Sequence, residues 1–183
     1  MYLCSDYSCM FCGEIENLVN EEVCENCFKT QSSNNNESSE INQITDKIFL
    51  GSYYGARNKY KLKSLGITHI LICGNRLAPL YPEDFSYCIL NIEDSYDQEL
   101  LIYLNKAFEF IDSSEKIFIH CVAGVSRSPS IVIGYLIYNA KLEFEEAFRL
   151  VKSKRYMSTP NKNFIKQLKD FEKGVRSEHN NIY

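Results

Sequence analysis

An α/β sandwich, built on a mostly parallel central sheet flanked by helices, is the fold that this chain of 183 residues predicts. Three observations lead there. After about residue 45, short apolar runs at Lys47–Leu50, Thr68–Cys73, Ser86–Asn91 and Lys116–His120 alternate with segments of helical period, as strands joined by crossover helices do. Ile131, Val132, Ile133, Tyr135, Leu136 and Ile137 are apolar almost all round, which marks one central, buried helix. The composition supplies the core: 45% of the residues are hydrophobic, with 13 Tyr and 11 Phe for aromatic packing.

Along the chain, residues 1–30 are rich in cysteine and short of core-forming pattern. Residues 31–44 form a polar tract that reads as a disordered linker, because it buries too little surface to order itself. Residues 45–176 are the globular domain, and 177–183 a tail. Within the domain, Leu100, Leu101, Leu104, Ala107, Phe108 and Ile111 share a helical face. Ser130 to Asn139 follows the last strand as the buried helix. Phe144, Ala147, Phe148 and Val151 define another amphipathic helix, and Phe164, Ile165, Leu168 and Phe171 a closing one. No internal repeat is visible.

Charge is unevenly spread. Residues 1–45 carry one lysine against eight acidic residues, whereas residues 46–183 carry 19 Lys and Arg against 16 acidic ones. The mildly basic body suits phosphate-bearing substrates and is too weakly charged to argue for nucleic acid. No stretch reaches the apolar length of a membrane span, and the first residues lack the basic start and apolar run of a signal peptide. The expected setting is cytoplasmic, nuclear or both, where thiols stay reduced. Eight cysteines then read as ligands or reactive groups before they read as disulfides.

The most informative run is His120-Cys121-Val122-Ala123-Gly124-Val125-Ser126-Arg127-Ser128. It joins the apolar strand at Lys116–His120 to the buried helix, and such a strand–loop–helix junction converges backbone N–H groups on an anion. The same field favours the ionised form of a thiol. A thiolate, a guanidinium six positions on and a ring of amides describe a phosphate-hydrolysing nucleophile site. Arg127 can grip two phosphoryl oxygens in fork geometry, which lysine cannot. The amides of Val122, Ala123, Gly124, Val125, Ser126 and Arg127 are expected to bind the same oxygens. Gly124 is expected to supply a backbone angle that a side chain forbids.

This run resembles the His-Cys-x5-Arg-Ser/Thr signature of the cysteine-based protein phosphatases, and its Ala-Gly-x-Ser-Arg-Ser-Pro interior is most similar to the dual-specificity branch. Ile48-Phe49-Leu50-Gly51-Ser52, Leu65 to Leu71, and Pro160-Asn161 with Phe164, Gln167 and Leu168 extend the resemblance from about Thr45 to Glu172. The resemblance implies that Cys121 attacks phosphorus to give a phosphocysteine, that Ser128 hydrogen-bonds its sulfur, and that His120 orients the loop without taking protons from substrate. It also implies an acid loop at Asn91-Ile92-Glu93-Asp94-Ser95, with Asp94 as the proton donor and Glu93 and Asp97 as rivals. No lysine stands inside the loop before Arg127, which favours phosphoprotein over inositol lipid or RNA phosphate. A small, atypical dual-specificity phosphatase acting on phosphotyrosine and phosphoserine or phosphothreonine, with no cofactor for catalysis, is the expectation. A non-catalytic phosphoprotein-binding module and a lipid or RNA phosphatase are the alternatives.

Cys9-x2-Cys12 and Cys24-x2-Cys27 form a second constellation. Two such knuckles place four thiolates tetrahedrally around a structural Zn²⁺, whose binding would supply the folding energy that so short an arm lacks. The arm is expected to dock a protein partner or locate the enzyme. Cys73 ends a strand expected beside the catalytic one. By similarity to the phosphoinositide phosphatases, it can trap oxidised Cys121 as a reversible disulfide; the alternative, and the commoner case for a strand cysteine, is a plain core residue.

Overall fold

A computed structural model describes residues 41–180, together with the backbone of two short strands nearer the N-terminus, β1 (Leu18–Val19) and β2 (Val23–Cys24). The chain divides into two units, Met1–Glu37 and Ser38–Tyr183. In the first, β1 and β2 pair antiparallel with Leu18 opposite Cys24 and Val19 opposite Val23.

Among its described residues the second unit carries five strands: β3 (Ile41–Gln43), β4 (Ile48–Gly51), β5 (His69–Cys73), β6 (Ser86–Leu90) and β7 (Ile117–His120). Their order across the sheet is β3-β4-β7-β5-β6. Only β3 runs antiparallel to its neighbour. β7 takes the centre because Ile117-Phe118-Ile119-His120 is buried at every position, as a strand covered on both faces must be. Phe118 pairs with Phe49 on one side and Ile70 on the other, and truncating it to alanine would cost about 3–5 kcal/mol. The register places Gly51 and Ile72 beside His120, so the carboxyl ends of β4, β5 and β7 reach one rim together. Ligands of parallel sheets bind outside that rim.

Among the described residues, six α-helices flank the sheet: α1 (Tyr53–Arg57), α2 (Lys59–Ser64), α3 (Leu104–Asp112), α4 (Arg127–Asn139), α5 (Phe144–Lys154) and α6 (Lys162–Asn180). α4 is buried from Ser128 through Ile137 and packs between the sheet and the pair α5 and α6. Its Gly134 lets two leucines close in, since a Cβ there would stand 3.3 Å from Leu104 and from Leu168. Ser52 caps α1 by accepting from the amides of Tyr54 and Gly55. A reciprocal pairing of Glu143 and Glu146 with each other's backbone opens α5. Among the described residues, no helix is long and apolar enough to cross a membrane.

Three boundaries differ from the sequence reading. The tract 31–44 does not stay outside the fold to its end: Ile41–Gln43 forms β3, and Ile44 is buried in the core. Its order comes from pairing with β4 rather than from local propensity, which is why polarity alone mislabels it. Leu101 lies in a 3₁₀ turn, Leu101–Tyr103, that precedes α3, and is exposed rather than on the buried face. Residues 177–180 continue α6, whose last turns are held by Arg176 pairing with Glu143 and Glu172.

Candidate active site

Cys121 follows β7 directly and is buried on the rim. Its Sγ accepts two hydrogen bonds, from the Gly124 N–H and from the Ser128 Oγ–H, each 3.2 Å long. Between these donors the chain turns sharply, and Gly124 holds φ at +67°. A Cβ at Gly124 would stand 2.4 Å from the Gly51 carbonyl oxygen, so glycine is required for space as well as for angle.

The carbonyls of this turn all point away from the sulfur. Cys121 O faces His120 Nδ1, Val122 O takes the Tyr53 N–H, and Ala123 O and Gly124 O take the Arg155 guanidinium. Val125 O takes the Thr159 N–H, and Ser126 O takes the N–H and hydroxyl of Ser130. A trans peptide sets N–H opposite C=O, so outward carbonyls turn the intervening amides inward. The bowl above Cys121 is therefore lined by N–H groups, and α4 begins at its edge with Pro129 in the first turn.

Arg127 stands at the helix start with its Nε buried and without a hydrogen-bond partner among the described residues. An orphaned buried guanidinium N–H fits a site built for an oxyanion. Gly74, just past β5, lets it sit there, since a Cβ would lie 3.1 Å from an Arg127 terminal nitrogen.

Of the three acidic candidates, the fold brings Asp94 to the bowl. Its Oδ1 accepts from Ser126 Oγ at 2.7 Å and from Asn161 Nδ2 at 2.8 Å. Its Oδ2 faces Arg127 Nε at 4.0 Å. Glu93 instead accepts from Asn75 at 2.9 Å, and Asp97 is exposed. The acid loop is also tied to α6, because Gln98 O accepts from Asn163 and Gln167 while the Leu100 N–H donates to Gln167.

His120 is 2% exposed and stacks on Phe118 at 5.4 Å. Burial lowers its pKa to about 4, so the ring is neutral at neutral pH. Cys73 ends β5 in the core, where burial pushes its thiol well up and the neighbouring Cys121 adds to the effect. Cys9, Cys12 and Cys27 lie outside the described residues, and Cys24 is described only as backbone of β2. Among the described residues, no cluster of three or more His, Cys, Asp or Glu is placed to hold a metal.

Two groups escaped the sequence reading. Arg155 is 2% exposed, yet Lys152-Ser153-Lys154-Arg155 looks like a solvated charge run. Gly74 has no local signal, because what it accommodates is Arg127, an arginine at the start of a helix more than fifty residues on in the chain.

An amide-lined bowl with a thiol at its floor has a use when its occupant is an oxyanion that sulfur can attack, which defines the class of cysteine-dependent phosphohydrolases. Comparison with known proteins narrows it. Residues 48–174 match the family described as the dual specificity phosphatase catalytic domain. Dual specificity protein phosphatase 1B of Arabidopsis thaliana is 38% identical over 75% of this chain and 84% of its own. Dual specificity protein phosphatase 1 of the same plant is 38% identical over 73% and 69%. The solved structure of the human tyrosine phosphatase-like serine/threonine/tyrosine-interacting protein superposes with a TM-score of 0.72 and 31% identity, over 75% of this chain and 99% of that one. The chain belongs to the dual-specificity protein phosphatases of the cysteine-based protein tyrosine phosphatase superfamily, enzymes that dephosphorylate phosphoproteins without a catalytic cofactor.

Proposed function

We propose that Cys121, Arg127, Asp94 and Ser128 divide the work of dephosphorylation as two displacements at phosphorus. The Cys121 thiolate attacks in line, forming the S–P bond as the ester P–O bond breaks. Asp94 delivers its proton to the leaving oxygen from Oδ2, since Oδ1 is held by Ser126 and Asn161. Arg127 and the amides from Val122 to Arg127 bind the equatorial oxygens and strengthen their grip as charge spreads in transit. Water then attacks the phosphocysteine, Asp94 accepts its proton, and the S–P bond breaks. Ser128 stabilises the departing thiolate through the hydrogen bond already made to Sγ. His120 takes no part in proton transfer and fixes the Cys121 carbonyl.

The observation that carries this reading is the pair of 3.2 Å hydrogen bonds to Cys121 Sγ, together with the buried Arg127 Nε that lacks a hydrogen-bond partner at the end of the same loop. Phosphate release from phosphotyrosine and phosphothreonine peptides, measured in excess chelator, tests it. Wild type is expected to turn over both and Cys121→Ser neither. Activity in Cys121→Ser, or activity abolished by the chelator, would overturn it.

The N-terminal arm is read as a Zn²⁺ site at Cys9, Cys12, Cys24 and Cys27 that docks a protein partner of a cytoplasmic or nuclear enzyme. What supports it is the spacing of the two Cys-x2-Cys pairs and the antiparallel backbone pairing of β1 with β2 between them. Zinc content of the purified chain tests it, with about one ion expected per chain and none after Cys24→Ser and Cys27→Ser together.

A further inference from the structure

Asn42 stands on β3, ahead of the residues that match the family, and its side chain reaches the phosphate loop through a single intermediary. Asn42 Oδ1 accepts from an Arg155 terminal nitrogen at 2.7 Å. The same guanidinium donates through Nε to Gly124 O at 2.8 Å and through its other terminal nitrogen to Ala123 O at 3.1 Å. We infer that Asn42 is a positioning residue for catalysis, holding Arg155 so that it turns the two central peptides of the phosphate loop toward the anion. The inference rests on the reading of the loop as the oxyanion site.

The peptide joining Ala123 to Gly124 is planar, so a carbonyl pulled outward drives its N–H inward. That N–H is the one donating to Cys121 Sγ. The next peptide, from Gly124 to Val125, is turned by the Arg155 Nε bond in the same sense. Gly124 is the residue of this turn with the greatest backbone freedom, and its positive φ must be held by its surroundings. Arg155 is the group that holds it, packed so closely that a Cβ on Gly124 would stand 2.7 Å from a terminal nitrogen.

An arginine side chain has several rotatable bonds, and the two carbonyls engage Nε and one terminal nitrogen, on one side of its fork. Asn42 engages the other terminal nitrogen from 113 residues away in sequence, on a strand at the edge of the sheet. The antiparallel register with β4 sets Asn42 opposite Leu50, one residue before the Gly51 that crowds Gly124. The edge strand and the loop are thereby locked in one frame, and the first strand of the domain becomes part of the machinery that shapes the bowl.

Asn42→Ala in the full chain tests this, with Asn42→Asp as the conservative rescue, because a carboxylate also accepts from a guanidinium. Gln43→Ala on the exposed neighbouring position serves as the control. Losing an acceptor for a charged donor is expected to lower kcat/KM and the affinity for orthovanadate together by about tenfold in Asn42→Ala. Asn42→Asp is expected to restore both, and Gln43→Ala to leave them at wild-type values. The midpoint of denaturant unfolding is followed in every variant, so that unfolding cannot pass for a loop effect. Wild-type vanadate affinity and kcat/KM in a folded Asn42→Ala would overturn the inference while leaving the assignment of Cys121 intact. Equal losses in Asn42→Ala and Asn42→Asp, in step with lost stability, would overturn it too, making Asn42 merely part of the sheet. Inactivity of the wild type itself would instead remove the reading on which the inference stands.

Discussion

Ser126 Oγ donates to Asp94 Oδ1 across 2.7 Å, joining the loop that carries the nucleophile to the loop that carries the acid. The same hydroxyl accepts the Asn161 N–H at 3.1 Å, while the Asn161 side chain donates to Oδ1 at 2.8 Å and caps α6 through the Phe164 N–H. Three segments distant in sequence thus meet at one carboxylate oxygen and leave the other to face the bowl. The proton donor has a defined position before substrate arrives.

Asn161→Ala is expected to lower kcat about tenfold on a phosphothreonine peptide, because a loosened acid protonates its leaving group less often. An aryl phosphate with a strongly acidic phenol needs little protonation and is expected to lose far less. Parallel kinetics on the two substrates check this. Equal losses on both would remove Asp94 from the role of acid.

Gly124→Ala meets two obstacles at once, the Gly51 carbonyl and the φ of +67°. The strain amounts to about 1–3 kcal/mol and displaces the amide that bonds the sulfur. Turnover is expected to fall by about 100-fold while circular dichroism stays that of a folded protein.

The fold was largely legible from residue pattern. Ile117-Phe118-Ile119 is a run that reads as a doubly covered strand, and the chemistry of the phosphate loop is contained in nine consecutive positions, His120 to Ser128. Interactions across long separations were not. β3 lies at the end of a polar tract and acquires its order from β4. Arg155 resembles its solvated neighbours until the tertiary fold buries it against Gly124, and nothing local marks Asn42 as its partner. Asp94 was distinguishable from Glu93 and Asp97 only by resemblance, because the choice depends on which carboxylate Ser126 and Asn161 can reach.

Neutral, buried His120 makes stability depend on pH. Its folded pKa of about 4 lies below that of the unfolded side chain, so protons bind preferentially to the unfolded state between those values. This contribution is full above about pH 6.5, declines as pH falls toward 4, and amounts to on the order of 3 kcal/mol across the window. His69, also lowered by burial and by Lys47, adds in the same direction. Urea unfolding at pH 7 and pH 5 is expected to show a smaller drop in His120→Asn than in wild type. An unchanged drop would place the titration elsewhere.

Cys73 stands at the end of the strand beside β7, in the electrostatic field of Cys121. Hydrogen peroxide is expected to oxidise Cys121 to a sulfenic acid, which Cys73 then traps, forming the S–S bond and releasing water. Peptide mapping is expected to find the Cys73–Cys121 disulfide, and thiol reductant to restore activity. A free Cys73 beside over-oxidised Cys121 would exclude the trap.

Covalent catalysis at Cys121 is tested by trapping the intermediate. Rapid mixing with a phosphotyrosine peptide, quenching in denaturant and mass spectrometry of the digest would follow one phosphoryl group. That group is expected on the peptide containing Cys121 in wild type, and longer-lived in Asp94→Asn, where the water that must release it lacks a base. A phosphoryl group on another residue, or phosphate release that persists in Cys121→Ser, would contradict it.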